Sequence, residues 1–135
     1  MQFSNHQFTS TEEIHDGDIF SMALHSNGRI VVTGGDDRAI AITDLKQGKV
    51  LQKYEAVAGL PIVAVVWLPG EKNLLFVDED GTMKVIHMKD GSILHNFTKI
   101  HRITEAIIVT KDRRWILAVC SQDSKIKKFD VETFK

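Results

Sequence analysis

The sequence contains few cysteines and prolines, the residues that rigidify many small secreted domains. It has one cysteine, Cys120, and two prolines in 135 residues. A single cysteine cannot form an internal disulfide, which excludes a disulfide-stapled secreted scaffold. The longest apolar runs, such as residues 60–68, are far shorter than the roughly 20 residues of a membrane-spanning helix. The first residues also lack a basic stretch followed by an apolar core, so they do not indicate a signal peptide.

An excess of charge of either sign is absent as well. The chain has 17 Lys and Arg against 18 Asp and Glu, a formal net charge of −1. The overall electrostatics therefore demand neither a nucleic acid nor an anionic membrane as partner. A composition of 43% hydrophobic and 26% charged residues is typical of globular proteins. We expect a globular intracellular protein, cytoplasmic with the nucleus as the alternative.

What the chain has is a repeat of 43 residues. Asp37, Asp80 and Asp123 are each separated by this step, and the same step relates Gly48 to Gly91. Apolar positions follow the same ungapped register across three units. Self-similarity at a fixed period of about 40–45 residues is typical of proteins built from stacked structural repeats.

Within each unit the pattern predicts short β-strands. Runs of β-branched and apolar residues alternate with turn sequences such as Asn27-Gly28, whose residues accept the left-handed backbone. No window has the apolar period of an amphipathic helix. The predicted strands are 19–24, 30–33, 39–43 and 50–54 in the first unit, 62–67, 74–77, 83–87 and 93–97 in the second, and 104–109, 116–119 and 126–129 in the third. Four antiparallel strands per repeat indicate an all-β propeller blade.

The spacing of two residue types within the units resembles the WD-repeat (WD40) family. His15 precedes Asp37 by 22 residues, and His101 precedes Asp123 by 22 residues. This is the family's separation between the His before the first strand and the Asp of the turn between the second and third strands. The Gly-His and Trp-Asp dipeptides of the family are degenerate here. The resemblance covers nearly the whole chain and implies WD40-type β-propeller blades.

The resemblance also implies a hydrogen-bonded structural network within each blade. In the family this His and Asp join a Ser or Thr on the second strand and a Trp on the third. The matched positions are His15, Thr33 and Asp37 in the first unit, Asp80 in the second, and His101 and Asp123 in the third. Several positions depart from the pattern. Thr43, Ile86 and Phe129 stand where the Trp would be in the three units, Ala58 stands where the second His would be, and Val119 is in the Ser/Thr place of the third unit.

The repeat divides the single domain, residues 1–135, into a leading strand and three blades. Residues 1–14 hold the leading strand, 15–57 the first blade, 58–100 the second, and 101–135 a third blade that lacks its last strand. A closed propeller needs about 4–8 blades. We therefore expect either an incomplete ring continued by the remaining blades of a longer chain, or half of a ring completed by self-association.

Catalytic, metal and cofactor motifs are not evident. The six histidines lack metal-site spacing with a further Cys or His pair. The segment Gly34–Arg38 lacks the ending of a phosphate-binding loop, and no nucleophile elbow is present. The acids at 36–37 and 78–80 are typical of turns that bond their own backbone. The sequence predicts a protein that is not an enzyme and that needs no cofactor or metal.

Two features of the sequence indicate interaction surfaces. Trp115 aligns with Arg29 and Lys72, and a Trp at a polar position is a candidate interface residue. Residues 99–128 hold eight Lys and Arg against three acids. A solvated surface is the first interpretation of this basic blade, and the partners that would fit it are an acidic protein, RNA or the acidic blades of a second copy. Aromatics spaced for base stacking are not evident, so nucleic acid is the weaker alternative.

The family resemblance implies a non-catalytic protein–protein interaction scaffold within a multiprotein complex. The alternative function is an RNA- or ribonucleoprotein-associated scaffold that uses the basic third blade. Family members commonly bind partners on one face of the ring, where the matched residues are Asp18, Asp36, Glu79 and Gln122. Together with Trp115 these are the predicted partner-binding residues.

Overall fold

The computed structural model describes residues 13–55, 57–97, 106–120 and 124–134. These ranges contain eleven β-strands and no helix, and hence no helix that could cross a membrane. The strands are β1 (Ile19–Leu24), β2 (Ile30–Gly35), β3 (Ile40–Asp44), β4 (Lys49–Tyr54), β5 (Ile62–Trp67), β6 (Asn73–Asp78), β7 (Met83–His87), β8 (Ile93–Phe97), β9 (Ala106–Val109), β10 (Trp115–Cys120) and β11 (Lys125–Asp130).

The strands form three antiparallel sheets in chain order. The first sheet is β1-β2-β3-β4, the second is β5-β6-β7-β8, and the third is β9-β10-β11. Each strand pairs with its neighbour in sequence, which the short turns between them require. The prediction of all-β, WD40-type blades is confirmed, and the ring is not closed. In the described part of the chain the third sheet has three strands, so the outer edge of β11 is the position that β4 and β8 fill in the other two sheets.

The repeat is visible in the backbone at residues that adopt left-handed conformations. Gly48, Gly91 and Phe134 have φ values of 65°, 73° and 58° and are 43 residues apart. Arg38, Gly81 and Ser124 form a second such set, with φ values of 64°, 83° and 55°. Side chains rarely tolerate this conformation, so its recurrence at the same step shows that equivalent turns fold alike.

The hairpin of β9 and β10 departs from the ungapped register by one residue. In each sheet, the backbone N–H of the residue that follows the third strand donates to the carbonyl of the residue that precedes the second strand. These bonds run from Leu45 to Arg29, from Met88 to Lys72 and from Val131 to Arg114. The donors are 43 residues apart, but the last two acceptors are 42 apart. Trp115 is therefore equivalent to Ile30 and Asn73, and the alignment of Trp115 with Arg29 and Lys72 is wrong. The residue equivalent to Thr33 is Ala118 rather than Val119.

Two apolar layers join the three sheets. The layer between the first and second sheets includes Val32, Ile42, Val65, Trp67 and Phe76, all of them buried. The layer between the second and third includes Leu75, Val85, Ile107, Ile116 and Ala118. Burial of apolar side chains on both faces of the second sheet is the main stabilising term of such a stack.

Two polar contacts fix the first sheet against the second, one between β5 and β1 and one between β4 and the turn after β7. The indole N–H of Trp67 donates to the carbonyl of Ala23 at 3.0 Å. The hydroxyl of Tyr54 donates to the carbonyl of Met88 at 2.5 Å. Because each bond satisfies a group that lies against apolar neighbours, both bonds define how the two sheets are aligned.

Candidate interaction surfaces

A hydrogen-bonded network surrounds His15 in the first sheet. His15 Nδ1 lies 2.9 Å from each carboxylate oxygen of Asp37, and Nε2 lies 2.7 Å from Oγ1 of Thr33. A carboxylate only accepts, so Nδ1–H donates to Asp37, and Nε2 is hydrogen-bonded to the Thr33 hydroxyl. His15 and Thr33 are buried, so the network ties the chain before β1 to β2 and to the turn after it.

Three hydrogen-bond donors stabilise the ionised form of Asp37. Burial raises the pKa of this carboxyl, but hydrogen bonds from the Asp16 N–H, the His15 ring and the Ala39 N–H outweigh it and lower the pKa to about 2. The Nζ of Lys53 lies 3.3 Å from Asp37 Oδ2 and 3.6 Å from Asp16 Oδ2. The ion pairs link β4 to this turn, so the network joins β2 and β4 to the segments that precede β1 and β3.

The corresponding positions in the other sheets carry different groups. In the second sheet Ala58 is buried, and the backbone N–H of Asp80 donates to Asp78 Oδ1 at 2.9 Å. Buried Thr43 has a hydroxyl with no partner among the described residues. His101 and Asp123 lie outside the described residues.

The predicted partner-binding residues lie at opposite ends of the sheets. Asp18, Asp36 and Glu79 are exposed. The Asp36 N–H donates to the Asp18 carbonyl, and the Glu79 N–H donates to the carbonyl of Pro61, one repeat later. Trp115 is the first residue of β10 and is equivalent to Ile30, the first residue of β2. Asp36 follows the last residue of β2, so Trp115 lies at the other end of its sheet. Gln122 lies outside the described residues.

The ring of Trp115 contacts two cationic side chains. The guanidinium carbon of Arg114 lies 4.9 Å from the centroid of the Trp115 ring, and the Nζ of Lys128 lies 4.3 Å from it. Both distances are within the range of cation–π attraction. Lys128 occupies the position of buried Ile42 and Val85, so stacking on Trp115 accommodates a cation where the repeat has an aliphatic side chain.

The face of the third sheet that carries Trp115 is exposed, whereas the equivalent faces of the other sheets are covered. We call this surface the open face. Ile108 is 55% exposed and Ile126 is 70% exposed. The equivalent residues in the first sheet, Ala23 and Ile40, pack against the second sheet, and their counterparts in the second sheet pack against the third. The open face comprises Ile108, Trp115, Leu117, Val119, Ile126 and Lys128.

Two grooves run between neighbouring sheets and are built from residues 43 positions apart. The first groove encloses about 220 Å³, and the second encloses about 320 Å³. The first is lined by Ile30, Ile42, Leu51, Gln52, Met88 and Lys89. The second is lined by their equivalents Asn73, Val85, Leu94, His95, Val131 and Glu132, with Leu68, Pro69, Arg113 and Phe134. Sequence reasoning missed both grooves, although the repeat step contained the signal that relates them.

Among residues 13–55, 57–97, 106–120 and 124–134, no group of three or more His, Cys, Asp or Glu is placed to hold a metal ion. The ionisable groups at the His15 network are paired with one another rather than directed into a cavity.

Comparison with known proteins agrees with the three sheets. The family described as "WD domain, G-beta repeat" matches residues 6–44, a stretch that includes His15, Thr33 and Asp37. The chain is 26% identical to Protein tipD of Dictyostelium discoideum over 120 residues, 87% of this chain and 19% of that protein. It is 30% identical to the WD repeat-containing protein JIP5 of Candida glabrata over 87 residues, 64% of this chain and 17% of that protein.

A second JIP5 protein, from Vanderwaltozyma polyspora, is 30% identical over 95 residues, 69% of this chain and 17% of that protein. The chain thus spans less than a fifth of the length of these curated relatives. The matched repeat, the named WD-repeat relatives and the three consecutive antiparallel sheets agree: the chain belongs to the WD40 repeat family.

Proposed function

We propose that the chain is a non-catalytic protein–protein interaction scaffold, a WD-repeat platform within a multiprotein complex. WD40 repeat proteins generally serve as non-catalytic scaffolds and bind other proteins. The observation that carries the proposal for this chain is the open face, an apolar surface that is buried at both equivalent interfaces within the chain. Exposed apolar patches of this kind mark interaction sites.

The occupant that fits the open face is a further blade of the same kind. The faces of the first two sheets that are equivalent to the open face are each covered by the next sheet. The opposite end of the stack offers a counterpart, because Phe20, Met22 and Leu24 on β1 are 47%, 73% and 57% exposed. The further blade comes from the rest of a longer chain or from a second copy, and two copies would give six blades, within the range of about 4–8 for closed rings.

The acidic residues at the other end of the sheets form a second proposed contact. Asp18, Asp36 and Glu79 are exposed, and Asp36 and Glu79 hold equivalent loop positions. A partner that meets them is expected to be basic, and contacts at such a rim act mainly on association rate and specificity.

An RNA-associated role is the alternative, supported by the basic third sheet. Two of its cations, Arg114 and Lys128, are engaged with Trp115, so fewer remain for phosphates. Binding of a polyuridine oligonucleotide whose log affinity falls steeply with log salt concentration would favour this alternative, and a slope near zero would exclude it.

Fluorescence of Trp115 tests the scaffold proposal. A Trp67→Phe variant leaves Trp115 as the single tryptophan of the sequence. We expect acrylamide quenching of Trp115 to decrease as protein concentration rises or as the full assembly forms, because the open face becomes covered. Adding Ile126→Asp should keep Trp115 quenchable at every concentration. Adding Ile93→Asp, at a 53% exposed apolar residue on β8, is the matched control and should not. Quenching that is equal in all three proteins and independent of assembly would contradict the proposal.

A further inference from the structure

The open face carries a cation at a position that is apolar and buried in the other two sheets. Ile42 lines the first groove and Val85 lines the second, each on the wall formed by the earlier of the two sheets. The equivalent residue of the third sheet is Lys128, which pairs with the middle of β10 as Ile42 does with β2. The open face is therefore one wall of a third groove, and that wall contains an ammonium group.

Lys128 is the residue that the two interfaces within the chain do not explain. Ile42 and Val85 are 3% and 1% exposed, so a sheet that docks in the same way removes the position of Lys128 from water. The ammonium group lies over the Trp115 ring, and Lys128 takes part in none of the ion pairs formed among the described residues. Burial of an unpaired ammonium costs more free energy than a cation–π contact provides. The occupant of the open face must therefore supply an anionic acceptor.

The two complete grooves show which part of the occupant faces this position. The opposite wall of the first groove includes Met88 and Lys89, and that of the second includes Val131 and Glu132. Both pairs directly follow the third strand of the later sheet. The turn after the third strand of a docking sheet is thus the part that lies next to Lys128.

The inference deepens the scaffold function proposed above and rests on the open face. We infer that the open face binds a β-sheet of different sequence that carries a carboxylate in the turn after its third strand, and that this carboxylate pairs with Lys128. Glu132 shows that the repeat accepts a carboxylate at this turn position. The flanking apolar residues Ile108 and Ile126 exclude water from the pair once the sheet has docked, which strengthens the attraction.

A second copy of this chain is a poorer occupant. The residue of the first sheet that is equivalent to Lys89 and Glu132 is Lys46, which is exposed and follows β3. A second copy docked in the same way brings Lys46 next to Lys128, and the two ammonium groups repel each other as they lose water. The apolar surface of β1 still favours contact, so self-association is weakened rather than abolished. Lys128 is thus a specificity-determining residue that selects against a second copy.

The chain itself serves as the probe, with a carboxylate placed at the turn in question. Sedimentation equilibrium measures self-association of residues 1–135 and of three variants. Lys46→Glu should strengthen self-association about tenfold, because the new carboxylate pairs with Lys128. Lys128→Met should also strengthen it, because the repulsion from Lys46 is removed. In the double variant Lys46→Glu should give no further gain, since its partner is absent.

Lys89→Glu is the matched control. It changes the net charge by the same amount at the equivalent turn of the second sheet, which faces Ile42 inside the chain, and should leave self-association unchanged. The inference is overturned if Lys89→Glu strengthens association as much as Lys46→Glu does, or if Lys46→Glu has the same effect with Lys128 and without it. Absence of association in every protein would instead overturn the proposal for the open face, so the two failures are distinguishable.

Discussion

The ring of Tyr54 lies directly over Gly91 of the neighbouring sheet, and no side chain fits between them. A Cβ at Gly91 would lie 2.5 Å from the ring Cδ1. The Tyr54 hydroxyl is bonded to the Met88 carbonyl, so the ring cannot swing aside without losing that bond. One glycine therefore sets how closely the second sheet approaches the first at the outer rim.

Gly91→Ala is expected to destabilise the protein by about 2–3 kcal/mol. The substitution combines a left-handed backbone, with φ of 73°, with the steric contact against Tyr54. Gly28→Ala is the control, because Gly28 has φ of 70° and nothing within 4 Å of an added Cβ. Urea denaturation should show about 1 kcal/mol for Gly28→Ala. Equal losses in the two variants would show that the Tyr54 contact has no energetic role.

Acid should weaken the His15 network over a defined pH range. The folded pKa of Asp37 is about 2, below its ordinary value of 3.8. The stabilisation is therefore complete above the ordinary value and is lost as pH falls toward 2. The difference corresponds to roughly 2 kcal/mol.

Denaturation at several pH values checks the role of Asp37. Asp37→Asn should lower stability at pH 7 by roughly 2 kcal/mol and flatten the decline between about pH 5 and pH 2. Asp36→Asn, at the exposed neighbour, is the control. A profile for Asp37→Asn parallel to that of the unsubstituted protein would assign the acid sensitivity to other groups.

The turn after β7 has one side-chain hydrogen bond to its backbone where the equivalent turns have two. We expect the protein to become more stable when the second bond is introduced. Asp44 Oδ1 accepts the N–H groups of Lys46 and Gln47, and Asp130 Oδ1 accepts those of Glu132 and Thr133 two blades later. The second sheet has His87 in this place, and its ring accepts one N–H, from Lys89.

Replacement of His87 with Asp should stabilise the protein by about 0.5–1 kcal/mol. The carboxylate would accept both turn N–H groups, as Asp44 does. Thermal denaturation measures the effect, with Asp44→His as the reciprocal variant that should destabilise. A lower melting temperature for His87→Asp would show that repulsion from Asp90, 3.9 Å from the His87 ring nitrogen, outweighs the cap.

The sequence predicted the strands of the first two sheets well because their turns contain strong signals. The predicted 19–24, 62–67, 83–87 and 93–97 match β1, β5, β7 and β8. Asn27-Gly28 and Pro69-Gly70 mark the tight turns that separate the first two strands of these sheets. Glycine supplies the left-handed backbone that such turns require, so strand ends could be located from composition.

The one-residue shift in β9 and β10 could not be predicted for two physical reasons. The strand sequences, AIIV and WILAVC, are apolar at every position, so alternation does not tell which face is buried. The turn between them contains no glycine, and the left-handed residue is Arg113. Neither signal that fixed the earlier hairpins was present.

The candidate surfaces were only partly predictable because each combines residues from two sheets. Asn73 and Val131 are far apart in sequence and meet in the second groove. The sequence marks Trp115 as unusual, but its contact with Lys128 follows from the pairing of β10 with β11. Side chains that a fold brings together from separate repeats are visible in the sequence only after the repeats are correctly aligned.

The mass of residues 1–135 in solution, measured by light scattering on a sizing column, tests the central claim most directly. The claim is that the open face and the exposed β1 surface are covered by further blades in the working protein. The account predicts association of the isolated chain, either as a particle of twice 15.2 kDa or as larger species. A monodisperse, cooperatively folded particle of 15.2 kDa that remains so at high concentration would contradict it.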